Sequence, residues 1–404
     1  MQDQREFDII VWGASGFTGK LVAEYLYGKY GVNQSVKWAM AGRNQEKLEK
    51  VRAEVADQNV PLIIADSHDE ASLNAMVQKA KVICTTVGPY GKYGAPLVDA
   101  CVKHQTHYCD LAGEVPFIRQ SIDQHHETAK SQGTRIVHSC GFDSIPSDMG
   151  VYFIQKQAQA KTGGPASQIK MRVKAFKGGL SGGTYASIND TMEKAQQDNS
   201  LYSVLLNPYG LNPQGELEGP DKPDLQSIEY DDKAKTWIFP FIMAGINTRI
   251  VRRSNAVAGY PYGKEFRYEE ATMAGDGEEG KNRAMQEGMR LKAMMSKPGS
   301  AEKAEVNKRM PKPGEGPSKA EREAGFYDLK FFTTFQDGST GLGTVYGDRD
   351  PGYGSTSKML AETAICLAQD ELPSEGGVLT PSTAMGDALL KRLEDNAGLT
   401  FSFE

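Results

Sequence analysis

Gly13, Gly16 and Gly19 recur every third residue where the apolar run Ile9-Ile10-Val11-Trp12 stops and a helix-compatible segment, Lys20 to Tyr27, begins. The order is strand, tight turn, helix. Glycine admits positive φ and lets an anion approach the main chain, and the free N–H groups and dipole of a helix start favour negative charge. The stretch Gly13-Ala14-Ser15-Gly16-Phe17-Thr18-Gly19 therefore reads as a phosphate cradle, with Gly13, Ser15, Gly16, Phe17, Thr18 and Gly19 as its contacts and a dinucleotide as its ligand. The spacing is G-x-x-G-x-x-G, not the commoner G-x-G-x-x-G. Its position after the first strand carries the reading as much as the pattern does.

The second strand ends in Ala41-Gly42-Arg43-Asn44, where an NAD site would place an acid on the ribose 2′-hydroxyl. Arg43 suits a 2′-phosphate instead, because its guanidinium fork pairs with a dianion that an Asp would repel. The expected cofactor is NADP(H), with Arg43 and Asn44 at its phosphate. Asp66, closing the third strand, would meet the adenine edge and is equally suited to cap the next helix. After the fourth strand, Val87-Gly88-Pro89 should run beside the nicotinamide ribose, and Gly113 after the fifth lies on the same edge of the sheet.

Hydride chemistry on a C=C or C=O group needs a proton donor beside the nicotinamide. Tyr90 is the candidate donor; Asp143 and Ser144, from the crevice loops, would orient substrate or a water, and Tyr185, beyond the glycine-rich stretch 178–184, would close from the second domain. Two Tyr-x-x-x-Lys pairs, Tyr25/Lys29 and Tyr260/Lys264, do not serve: the first lies on the cofactor helix and the second contains Pro261. His104-x-x-His107-x-Cys109 offers metal-ligand types, but neither C-x-x-C nor H-E-x-x-H spacing occurs, and no metal is expected.

These residues must be positioned by a chain of 404 residues, long enough for two or three domains. A net charge of −6 gives no basic footprint, so nucleic acid is not expected as a partner. Five cysteines without a disulfide framework suit a reducing compartment. Met1–Glu6 is polar and Phe7–Val11 is too short for a membrane span, so a cytoplasmic location is expected. Strand-like runs (Phe7–Trp12, Val36–Ala41, Leu62–Ala65, Val82–Val87, Thr106–Asp110, Arg135–His138) alternate with helix-like ones (Gly19–Tyr30, Gln45–Val55, Glu70–Lys79, Pro96–His104, Pro116–Ser131). The fold class is α/β: a Rossmann-like, doubly wound parallel sheet over residues 1–150.

From residue 151 the pattern changes. Gln168–Phe176 alternates apolar with basic residues, the mark of a strand with one wet face, and opens a mixed α+β substrate or dimerisation domain extending to about residue 347. Thr184 would cap a helix from Tyr185 to about Gln196, after a glycine hinge. Residues 207–224 read as a surface excursion, and 297–325 as a mobile loop or lid. Phe326–Gln336 and Ser339–Gly347 form a hairpin across Asp337-Gly338. The apolar Trp237–Met243 and the methionines 285, 289, 294 and 295 suit core packing, a dimer interface or a greasy ligand. Thr356–Leu367 and Ser382–Leu393 are expected to be helices.

Assembled, these segments resemble the saccharopine dehydrogenase-like oxidoreductase family, in particular its bacterial members that look like trans-acting enoyl reductases. The pieces that carry the resemblance are Gly13–Gly19, Ala41-Gly42-Arg43, Val87-Gly88-Pro89-Tyr90, Tyr108–Glu114, Gly141–Asp148, Asp350-Pro351-Gly352-Tyr353 and Ala384-Met385-Gly386. The resemblance implies that C-terminal helices, residues 348–404, return to the Rossmann-like domain, so that the second domain is an insertion. It implies an NADP(H)-dependent oxidoreductase, a reductase delivering hydride to a C=C or C=O/C=N group of a small or lipid-like substrate. It does not imply lysine metabolism. A non-catalytic NADP(H)-binding sensor or scaffold is the competing reading. A homodimer and a peripheral membrane contact complete the expectations.

Overall fold

The structure is a computed structural model that describes residues 5–179, 182–310, 315–373 and 375–404. In its first part strands and helices alternate as the sequence predicts: β1 (Phe7–Trp12), α1 (Phe17–Tyr30), β2 (Trp38–Gly42), α2 (Gln45–Val55), β3 (Leu62–Ile64), α3 (Glu70–Val77) and β4 (Ala80–Thr85). They continue with α4 (Tyr90–Tyr93), α5 (Ala95–Lys103), β5 (His107–Cys109), α6 (Val115–Gln132), β6 (Arg135–Val137) and α7 (Ile145–Thr162). The strands pair in parallel in the order β3-β2-β1-β4-β5-β6. Helices cover both faces, which is why β1 is almost wholly apolar: Ile9 and Val11 enter one core while Ile10 and Trp12 enter the other. Each such side chain contributes roughly 1.5–3 kcal/mol.

The second sheet begins with β7 (Gln168–Lys177). After α8 (Gly182–Gln197) and α9 (Asn199–Leu206) come β8 (Glu229–Asp231), β9 (Thr236–Phe239), α10 (Ala244–Val257), β10 (Arg267–Gly275) and α11 (Gly277–Met294). The short helices α12 (Ala301–Asn307) and α13 (Lys319–Glu323) precede the hairpin β11 (Phe326–Thr334) and β12 (Thr340–Gly347), whose turn glycine, Gly338, has φ +85°. The chain then runs through a π-turn (Pro351–Ser355), α14 (Thr356–Gln369), β13 (Gly377–Leu379), α15 (Pro381–Arg392), a second π-turn (Leu393–Ala397) and β14 (Leu399–Phe403). The second sheet, ordered β14-β12-β11-β7-β10-β9-β8, is mixed: β10 and β7 are parallel and the other pairs antiparallel. The return of the C-terminal segment is seen directly, since α14 packs on α1 and β13 pairs with β6.

Four local expectations change. Thr184 does not cap α8 but lies in its first turn; of the glycine hinge, Leu180 and Ser181 fall outside the described residues. The stretch 297–325 carries α12 and α13, and residues 311–314 of it lie outside the described residues. The C-terminal stretch is not helical alone, because it gives β13 to the first sheet and β14 to the second.

The fourth change concerns residues 207–224: the excursion is anchored at 209–212, which are buried, while the rest of it stays exposed or half-buried as expected. Buried arginines fasten this segment by its carbonyls: Arg252 donates to Pro208 O (3.0 Å), Arg253 to Leu211 O (2.6 Å) and Arg119 to Asn212 O (2.7 Å). Arg249 and Arg252 also pair with Asp224 and Asp221 at 2.7 and 2.6 Å. Hydrogen bonds from charged donors contribute about 1.5–3 kcal/mol each, enough to hold a chain that hydropathy alone would leave outside.

Candidate active site

β1 ends at Gly13, whose φ of +88° starts the turn. Gly13 N–H and Ala14 N–H both donate to Ala41 O (3.0 and 3.1 Å), tying the turn to β2, and Gly16 N–H returns to Gly13 O at 2.9 Å. A Cβ on Gly19 would lie 2.2 Å from Gly13 O, so only glycine lets α1 leave the strand at this angle. α1 has no side-chain cap and no acid in its first turn. Its leading N–H groups are therefore open to an anion. Thr86, not anticipated from the sequence, holds the turn from the fourth strand by donating to Gly13 O at 3.3 Å. Phe17 opens the helix and packs edge-on against Tyr353, with ring centroids 4.6 Å apart. Ser15 and Thr18 are half-buried in the same turn. The cradle fits a dinucleotide on its own geometry.

Arg43 is exposed at the end of β2 and makes no ion pair or hydrogen bond among the described residues. Asn44 is committed to structure: its Oδ1 accepts Lys47 N–H at 2.8 Å and caps α2. Asp66 is likewise used locally, accepting His68 N–H at 2.9 Å, while Asp69 caps α3. Ile64, at the end of β3, is an exposed apolar side chain (48%) on the same edge. Val87, Gly88 and Pro89 lead from β4 into α4, with Gly88 exposed.

Tyr90 does not face the crevice. It is buried against Phe117 (centroids 5.9 Å apart), its hydroxyl donates to Thr85 O at 3.3 Å, and that hydroxyl also accepts Leu111 N–H at 3.3 Å. Burial pushes its pKa well up. Tyr90 is thus a support of the β4 and β5 loops, and its reading as a proton donor is corrected. Tyr185 is buried too, its hydroxyl donating to Asn307 Oδ1 at 2.6 Å on α12 with Lys303 over its ring.

Asp143 differs from both. It is half-buried in the loop after β6, and its carboxyl has no hydrogen bond or ion pair among the described residues. A Cβ placed on Gly113 would lie 3.8 Å from Asp143 Oδ2 and 4.0 Å from both Met243 Cε and Ile246 Cγ2, so the carboxyl and two apolar side chains, one from α10 and one from the residue before it, border the same space over Gly113. Burial alone raises its pKa to about 7. It can therefore hold a proton near neutrality and give it up. Phe142 continues the wall, packing on Phe241 and Tyr327 at 6.5 and 4.9 Å.

Ser144 is buried and unusual, with φ +121° at the cap of α7. Such a conformation costs a non-glycine residue about 1–3 kcal/mol. Its hydroxyl donates to Asn247 Oδ1 at 3.0 Å on α10, and Asn247 Nδ2 donates to Glu270 Oε2 at 3.0 Å on β10. Glu270 accepts Tyr268 OH at 2.8 Å, and burial raises its pKa to about 7.

Glu114 joins the halves differently: it accepts Tyr90 and Gly91 N–H (2.8 and 2.7 Å) and the Ser187 hydroxyl from α8 (2.8 Å). Asp110, His138 and Ser121 form a chain with spacings of 2.7 and 2.9 Å, the order of an acyl-transfer triad. All three are at most 3% exposed, so substrate does not reach Ser121. Asp110 instead accepts Ala112 and Ser139 N–H and fixes the loops after β5 and β6.

Comparison with known proteins agrees with this geometry. Residues 9–137 match the saccharopine dehydrogenase NADP-binding domain. A Mycobacterium tuberculosis protein provisionally named a trans-acting enoyl reductase is 42% identical, over 96% of this chain and 96% of its own. The trans-acting enoyl reductase of Mycobacterium ulcerans is 38% identical over the same shares. The structure of saccharopine dehydrogenase (L-Glu forming) from Saccharomyces cerevisiae aligns over 98% of this chain and 99% of its own with a TM-score of 0.55. At 12% identity, that likeness is one of fold.

Proposed function

Since the chain belongs to the saccharopine dehydrogenase-like oxidoreductases and aligns over 96% of its length with trans-acting enoyl reductases, we propose that it is an NADPH-dependent reductase of an enoyl C=C bond, with Asp143 as proton donor. It is an NADP-dependent oxidoreductase. NADPH, when bound, supplies the hydride. The residues that would hold it are Gly13, Ser15, Gly16, Phe17, Thr18 and Gly19 at the pyrophosphate and Arg43 at the 2′-phosphate. Ile64 and Ala65 would take the adenine, and Val87, Gly88, Pro89 and Gly113 the nicotinamide side. Asn44, as the cap of α2, and Asp66, through its turn bond from His68 N–H, shape that wall.

The observation that carries the reading is the Asp143 carboxyl, without a partner among the described residues, bordering the space over Gly113 together with Met243 and Ile246, its pKa near neutrality. An apolar wall suits an acyl chain, and a neutral carboxyl beside it can protonate the carbon next to a thioester carbonyl as hydride arrives. Residues 1–150, 151–347 and 348–404 are proposed as the working divisions of the chain. The placement is a cytoplasmic homodimer; the exposed Met285, Met289 and Met295 support a covered or membrane-touching face.

NADPH oxidation with trans-2-octenoyl thioester, a 2-ketone and an imine of matched length tests the proposal. The enoyl substrate alone should be turned over, and Asp143→Asn should lower kcat by about 10²–10⁴-fold with NADPH affinity kept. Full turnover by the Asn variant removes Asp143 from the chemistry. NADPH binding without turnover of any arm favours the sensor or scaffold reading. Light scattering and liposome co-sedimentation test the dimer and the membrane contact.

A further inference from the structure

α10 meets the Asp143 loop twice. Ile246 and the preceding Met243 border, with the Asp143 carboxyl, the space over Gly113, and Asn247, the next residue after Ile246, reaches the neighbour of Asp143. Ser144 lies in a region of backbone space that side chains avoid, and three bonds keep it there. Its N–H donates to Phe142 O (2.8 Å), its carbonyl accepts Asp148 N–H (2.8 Å), and its hydroxyl donates to Asn247 Oδ1 (3.0 Å). Two of the three are local to the turn. The third comes from α10, beyond the start of the second sheet, and Asn247 is itself oriented by Glu270 on β10. Asn247 is 1% exposed and Ser144 fully buried, so water does not substitute for either partner.

We infer that Asn247 is a positioning residue for the reaction: by holding Ser144 in its left-handed turn, it aims the Asp143 carboxyl at the Gly113–Met243–Ile246 wall and keeps it from other partners. The inference rests on the reading of Asp143 as the proton donor. It makes docking of α10 a condition for an active carboxyl, because the same helix supplies both wall and tether. Among the described residues no charged side chain shifts Asp143, on which burial acts, and the carboxyl beyond Asn247 is Glu270, which Tyr268 and Ser147 also bond.

The test follows the titration of Asp143 by carboxyl-carbon NMR on full-length protein carrying labelled aspartate, with Asp143→Asn identifying the signal. NADPH affinity is measured alongside. Asn247→Leu and Ser144→Ala should each lower the Asp143 midpoint by at least a unit, as the turn relaxes and the carboxyl reaches water, without changing NADPH affinity. Glycine accepts the Ser144 conformation without a tether. Adding Ser144→Gly to Asn247→Leu should therefore restore most of the shift, and Ser144→Gly alone should be displaced less than Ser144→Ala. Loss of a generic packing contact predicts no such rescue.

An unchanged midpoint in both single variants overturns the inference, as does failure of glycine to rescue. Should Asn247→Leu not fold, the order of the alanine and glycine variants at residue 144 decides alone. A wild-type midpoint near the ordinary value of 3.8 would instead sink the reading of Asp143 as donor. A midpoint near 7 that ignores Asn247 sinks only its positioning role.

Discussion

Arg43 and Asp143 have in common that neither has a partner among the described residues, and charged groups left so are available for a ligand. Arg43 is exposed where it would meet a 2′-phosphate, and Arg43→Ala should weaken NADPH binding by about tenfold or more, the worth of roughly 1.5–3 kcal/mol for a charged hydrogen-bonded contact, while NADH binding stays put. Equal losses for the two dinucleotides, measured by fluorescence titration, would refute the assignment. Their positions were legible because Arg43 directly follows β2 and Asp143 lies in the loop after β6, and a strand end fixes which edge of the sheet a loop leaves. Tyr90 was misread for the complementary reason. Its ring is turned inward by Phe117 and its backbone by Glu114, residues about 25 positions away that no local pattern connects to it. Asn247 had no signal at all, being one polar residue in a helix.

At the level of elements, the β1–turn–α1 unit is the most sequence-determined part of the protein. Its three glycines differ in role: Gly13 needs positive φ, Gly16 opens the helix, and Gly19 allows contact between helix and turn. Gly19→Ala would place a methyl against the Gly13 carbonyl, and overpacking of that kind costs about 1–3 kcal/mol. The variant should lose NADPH affinity and melt several degrees lower, as calorimetry would show; a wild-type melt with intact binding would mean that α1 can slide without cost. The parallel strands were legible because burial on both faces makes them continuous apolar runs. β8, β13 and β14 were not, because strands of three to five residues at sheet edges carry too little periodicity to stand out. The anchoring of 207–224 was hidden in the same way, because nothing in that segment shows that Arg252 and Arg253 of α10 bond the carbonyls of 208 and 211.

For the whole molecule, the site's chemistry and its stability are in tension. Asp143, held up to about 7 from 3.8 by burial, keeps a proton in the folded chain that the unfolded chain loses. Folding therefore takes up that proton, and the stability it brings is full below about pH 4 and is lost as pH rises towards 7. Asn carries no such proton. Relative to wild type, Asp143→Asn should gain stability between about pH 5 and pH 8, by on the order of 1–3 kcal/mol once its half-exposure is allowed for. Denaturant unfolding at both pH values reads this directly. A stability difference that does not vary with pH would show that Asp143 titrates as an ordinary carboxyl.

The two edge strands from the end of the chain have a consequence for synthesis. β13 completes one flank of the first sheet beside β6, and β14 completes one flank of the second beside β12. At about 5–20 residues per second, the roughly 240 residues between β6 and β13 take on the order of 10–50 s to make. Throughout that interval the exposed backbone of β6 is a free edge, open to pairing with another nascent chain. The cleft is thus assembled late, and a ribosome that stalls before residue 377 leaves a cofactor cradle already formed on a sheet that has yet to close.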